Sequence, residues 1–150
     1  MRRMVLYIIV LLALMAFPAE RTNVGRLLPV EAVRVSQSVG HVEIETDTGN
    51  IGVGENLEEA YLDLKERASG EIFLDTADYL ILSGAEDRIL GELNRYIKER
   101  IRVCRAEGSL DLEAAAQYLA VHRLQYRLKD IISVAETELL TQMESGFCLS

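Results

Sequence analysis

The chain has 150 residues, of which 49% are hydrophobic and 27% charged, with a formal net charge of −8. That size supports one domain with a real core and hardly two. The acidic balance disfavours binding to nucleic acid or to an anionic lipid surface by bulk electrostatics, and two cysteines, Cys104 and Cys148, are too few for a disulfide framework.

The N-terminus carries the clearest signal. Arg2 and Arg3 precede an unbroken apolar stretch, MVLYIIVLLALMAF, over residues 4–17. This is the order of a basic region and a hydrophobic region that target a chain to a membrane. Residues 1–19 are therefore expected to be a signal peptide or a membrane anchor. The residues LMAFPAE offer no small-x-small cleavage pattern and contain Pro18, while the stretch falls short of the roughly 20 residues that span a bilayer comfortably. Removal and retention both stay open. A core helix of a cytosolic domain would present a polar face to water, and none is offered here. With the arginines held inside, everything after residue 20 is expected at the outer face of the cytoplasmic membrane, or secreted if the segment is cleaved. Without Arg2 and Arg3 the chain keeps 14 of its 16 basic residues and all 24 acidic ones, a net charge of about −10.

Residues 20–29 read as a linker and 30–145 as a single domain. PVEAVRVS alternates, with Val33 and Val35 on one face and Arg34 and Ser36 on the other. After the turn QSVG, HVEIETDTG alternates again and buries Val42 and Ile44, so a β-hairpin is predicted. His41, Glu43 and Glu45 share the outer face of its second strand, but no second cluster with ligand spacing closes a metal site, and a solvated face is the better reading. GNIGVGE lacks both the G-x-G-x-x-G fingerprint and a P-loop lysine, and is expected to be a loop or edge strand. Asn56, with Glu59 three residues on, predicts a helix start. Leu57, Ala60, Tyr61, Leu64 and Ala68 form its apolar stripe, and the helix should end near Gly70.

The stretch EIFLDTADYLILSG, residues 71–84, admits a strand, turn and helix of a catalytic or phosphate-binding site. Its apolar run Tyr79–Leu82 suits a strand buried on both faces, and a helix with the stripe Ile89, Leu93, Tyr96 and Ile97 follows Gly84. Glu86 and Asp87 occupy the first turn of that helix and would repel phosphate. Asp75 and Asp78 precede the strand, away from the carboxyl ends where sites in α/β layers gather, and read as turn and helix-start residues. IRVCR predicts a fourth strand with Cys104 as a small buried hydrophobe, and Cys148, near the end, is expected to stay unpaired. AEGS leads through Asp111 into the helix LEAAAQYLAV, which His122 should terminate. A last long helix is predicted after Arg123, with Leu124, Leu128, Ile131, Ala135, Leu139 and Met143 at spacings of three and four. Its stripe either packs onto the domain or serves a partner, and Leu128, Ile131, Ala135 and Leu139 are the candidate partner-binding residues. The expected fold is α+β: a small mixed β-sheet packed by amphipathic helices, preceded by the N-terminal hydrophobic helix. No residue is nominated as catalytic, and no cofactor or metal is implied.

The passages GENLEEAYLDL, IFLDTADYLILSGAEDRIL and IRVCRAEGSLDLEAAA, in that order, resemble the N-terminal domain of the Ger(x)C spore-germination proteins, the C subunits of germinant receptors. The resemblance spans roughly residues 30–125. It departs from that family in lacking a lipobox cysteine after the hydrophobic segment and in carrying Thr76-Ala77 where members tend to have a histidine. Members also continue for two further domains, so a shortened relative is expected. The resemblance implies a membrane-associated, non-enzymatic component of an endospore-forming bacterium. It would act in germination by contact with integral membrane receptor subunits, with residues 4–17 in the membrane if uncleaved and with no nucleic acid as partner. The alternatives are a cell-envelope hydrolase using carboxylates and a remnant that has lost its partner domains.

Overall fold

The computed structural model describes residues 27–84, 87–131, 138–143 and 146–149. The expected N-terminal hydrophobic helix lies outside them. Its centre is a seven-stranded mixed sheet. Strands β2 (Ala32–Ser38), β3 (His41–Thr46) and β4 (Ile51–Gly54) form an antiparallel meander. Parallel strands β6 (Tyr79–Ser83), β7 (Arg102–Ala106) and β8 (Glu138–Met143) then add to the other side of β2, and β9 (Gly146–Leu149) closes the row as an antiparallel edge. The spatial order is β4-β3-β2-β6-β7-β8-β9. A separate two-residue parallel pair joins β1 (Leu27–Leu28) to β5 (Glu71–Ile72).

The alternation of β2 and β3 appears as expected: Val33, Val35, Val42 and Ile44 are buried, whereas Arg34, Ser36, Glu43 and Glu45 are half-buried on the other face. Helix α1 (Leu57–Arg67) begins at Asn56, whose side-chain oxygen accepts from the Glu59 N–H at 2.9 Å, and the Glu59 carboxylate accepts in return from the Glu55 N–H at 3.0 Å. The run Tyr79–Ser83 is buried at every position, as a central parallel strand requires. Helix α2 (Asp87–Leu93) is shorter than its stripe suggested. It ends at Leu93, and turns carry Ile97 into the same core. Helix α3 (Leu112–Val121) starts on the Asp111 cap and stops at His122.

Two apolar layers sandwich the sheet, and strand alternation sorts the residues between them. Leu80 and Leu82 face one layer with Leu57, Ala60 and Leu64 of α1 and Ile89, Leu90 and Leu93 of α2. Tyr79 and Ile81 face the other, against Leu112, Ala115, Ala116 and Leu119 of α3. Helices therefore cover both faces of the sheet.

The C-terminal part corrects the sequence reading. In place of the long helix expected from Leu124 through Met143, the described residues show helix α4 (Leu128–Ile131) and the strands β8 and β9, with residues 132–137 not among those described. Leu128 (0% exposed) and Ile131 (4%) belong to the core layer that also holds α1 and α2, so they offer no partner surface. Ala135 lies outside the described residues, and Leu139 is a strand residue paired with Arg105. The reason is the open edge of β7. A parallel neighbour satisfies its unpaired N–H and C=O groups, and the register Cys104↔Glu138, Arg105↔Leu139, Ala106↔Leu140 turns Leu140, absent from the helical stripe, fully into the core. Cys148, expected near a loose end, lies on β9 opposite Thr141.

Candidate functional site

Ser83 of the strand-turn-helix passage is occupied structurally. Its hydroxyl donates to the Ala106 carbonyl at 3.0 Å and accepts from Arg34 Nε at 3.3 Å. The same guanidinium donates to the Gly108 carbonyl at 2.8 Å and pairs with Glu45 at 3.5 Å. Arg34 thus ties β2 to β3, to β6 and to the turn after β7. A serine held between an arginine and a carbonyl has no base to activate it. Gly84 turns the chain in the left-handed region (φ 61°).

His41 is exposed at the tip of the hairpin, and Glu45 beside it on β3 is committed to Arg34. His122 caps α3. Its ring stacks on Tyr118 at 3.8 Å, and Nδ1 lies 2.9 Å from the Tyr118 carbonyl. Among the described residues no group of three His, Cys, Asp or Glu side chains is placed to hold a metal. Cys104 is buried and Cys148 is exposed.

Two glycines of GNIGVGE, Gly52 and Gly54, serve packing. A Cβ on Gly52 would collide with the Ala60 carbonyl and with Leu64 Cβ at 2.5 Å, and one on Gly54 would meet Glu59 Cβ at 2.5 Å. Edge strand β4 therefore lies flush against α1, and its outward-facing Val53 N–H is taken by the Asp63 carboxylate at 2.8 Å. That hydrogen bond, with help from Arg67 at 2.8 Å, holds the Asp63 carboxyl below its ordinary range. On the opposite face of the meander, Glu43 and Glu45 are half-buried and Ile51 and Val53 are 42% and 40% exposed, and none belongs to either core layer.

Two clefts remain. The smaller, about 170 Å³, opens at the carboxyl end of β2 and brings Glu55 and Glu92 together beside Gln37 and Asn56. The larger, about 460 Å³, lies at the amino ends of β6 and β7 and is lined by Lys98, Arg100, Arg102 and Arg127, with Asp78 as the one carboxylate in its described lining. Sequence reading missed this cleft because Arg127 is far in sequence from the basic run at 98–102.

The class these features define is a small α+β domain, a mixed sheet covered by helices on both faces, with one uncovered meander face and one basic cleft. No family model, no curated protein and no solved structure matches the chain.

Proposed function

We propose that the protein is an exported, membrane-associated, non-enzymatic component of a germinant-receptor type of assembly, acting at the outer face of the cytoplasmic membrane. It works by contact with integral membrane subunits and not by chemistry on a substrate. The observation that carries this reading is the uncovered face of β3 and β4. Ile51 and Val53 sit at i and i+2 on an edge strand whose other face is locked onto α1, with Glu43 and Glu45 beside them. An apolar pair rimmed by charge on a rigid support is the make-up of a protein contact surface.

The test is a mild-detergent pull-down of the tagged protein from sporulating cells. Wild type should recover multipass membrane subunits, and Val53→Lys, which places a charge on the apolar pair without touching the core, should lose them. Recovery of the protein alone, or equal recovery by both forms, would sink the reading.

The second reading, an envelope hydrolase, rests on the Glu55 and Glu92 cleft, which gathers two carboxyl groups at the carboxyl end of a parallel strand. It requires that purified protein release reducing ends from cell-wall material and that Glu92→Gln abolish the release.

A further inference from the structure

The basic cleft is the least expected feature of an acidic chain. Four of its 16 basic residues line one cavity at the amino ends of β6 and β7. Lys98, Arg100 and Arg102 come from the approach to β7, and Arg127 from the segment before α4. None of the four forms an ion pair with a carboxylate among the described residues. Lys98 and Arg102 are half-buried, whereas Arg100 and Arg127 are exposed at the mouth.

The backbone forces two of these charges together. Arg102 and Arg127 are direct partners in an antiparallel bridge. Its hydrogen bonds run from the Val103 N–H to the Tyr126 carbonyl and from the Leu128 N–H to the Ile101 carbonyl, each 3.0 Å. This makes Arg102 and Arg127 a non-hydrogen-bonded pair, the kind whose Cα atoms approach to about 4.5 Å and whose side chains lie closest. Like charges placed directly opposite each other are destabilising. Leu128 and Ile131 anchor the Arg127 segment in the core, so the segment is not free to swing away.

We infer that this cleft binds a phosphate-bearing anion, held by the paired guanidinium groups of Arg102 and Arg127 with Lys98 and Arg100 completing the positive wall. A doubly charged anion between two guanidinium planes converts the repulsion into charge-assisted, bidentate hydrogen bonds. A volume of about 460 Å³ accommodates an organic phosphate or a lipid headgroup. Asp78, whose carbonyl accepts from the Arg102 N–H at 3.0 Å, and Asp130, whose carboxylate accepts from the Arg127 N–H at 3.2 Å, set two negative charges against the four positive ones, so the cleft stays net positive, and Asp78 suits a hydroxyl or amine on the same ligand. The bulk charge of the protein disfavours a broad anionic surface as partner, but a single anion is focused in a cleft by its local positive charges.

The experiment measures thermal unfolding of the full chain in an uncharged detergent, with sodium phosphate, pyrophosphate or chloride at matched ionic strength. Wild type should melt higher in phosphate, and higher still in pyrophosphate, than in chloride. Arg127→Gln should abolish that difference, weakening pyrophosphate binding about 10- to 100-fold, and in chloride alone should melt no lower than wild type because a repulsion is gone. Arg123→Gln, the same charge change at an exposed residue that does not line the cleft, should keep the full effect. If Arg127→Gln fails to fold, Arg100→Gln at an exposed turn position makes the same test. Equal melting of wild type in all three salts, or equal loss of the shift in the Arg123 control, overturns the site. Soluble dihexanoyl phosphatidylglycerol supplies the second arm. A larger shift with it than with inorganic phosphate assigns a headgroup, a smaller one assigns a free phosphate, and no shift with any of these anions overturns the inference.

Discussion

Gly52→Ala examines the packing of β4 against α1 directly. The added methyl would stand 2.5 Å from Leu64 Cβ and closer still to the Ala60 carbonyl, both fully buried residues. Carbon atoms rest at about 3.5–4.0 Å, so α1 must retreat by about 1 Å or β4 must leave the sheet. Either movement loosens Leu57, Ala60 and Leu64 from the layer they share with Val42 and Ile44. Overpacking of this kind costs about 1–3 kcal/mol, and because the colliding atoms are mostly backbone the upper end applies, a fall in melting temperature of about 10 °C. Gly91→Ala is the matched control. It lies within α2, a Cβ there meets nothing within 4 Å, and alanine should stabilise by about 0.5–1 kcal/mol. Urea unfolding of the two variants, followed by circular dichroism, reads both signs. Equal stabilities for wild type and Gly52→Ala would refute the close contact and with it the position of the edge strand.

Leu128→Ala should cost about 2–5 kcal/mol in the same assay, as a fully buried side chain does; a change below 1 kcal/mol would return Leu128 to the surface. Ser83→Ala should lower stability by about 1 kcal/mol through the lost link to Ala106 and Arg34, while subunit recovery in the pull-down stays intact. Asp63→Ala should be less stable than wild type at neutral pH. Because the folded pKa of Asp63 lies below its ordinary 3.8, its contribution is fully present above that value and is lost as pH falls through the lower folded pKa. The two proteins should therefore converge only in strong acid, and a gap that closes already near pH 6 would contradict the Val53 contact. A thiol reagent should modify Cys148 in the native protein and Cys104 only after unfolding; modification of both at one rate would contradict the burial of β7.

Residues 30–121 were largely legible because their signals are local. Alternation in Ala32–Ser38 and His41–Thr46, the Asn56 and Glu59 cap, the apolar run at Tyr79 and the Asp111 start all arise from neighbours within a few residues, and those forces act the same way in the folded chain. The reason for the glycines in β4 was not legible, since it lies in the backbone of α1. The candidate surfaces were hidden for the same reason. The basic cleft joins residues 98–102 to Arg127 through a bridge, and the Glu55 and Glu92 cleft joins α1 to α2.

The stretch after Arg123 marks the boundary most sharply. Leu124, Leu128, Ile131 and Leu139 keep helical spacing, and by itself the sequence determined only that this stretch has apolar residues to bury. Tertiary structure decided how. A helix satisfies its own backbone, whereas a strand needs a partner that sequence does not name. Here the unpaired edge of β7 supplies that partner, and pairing along it places Leu140 in the core and turns ELLTQM and GFCL into the last two strands of the sheet.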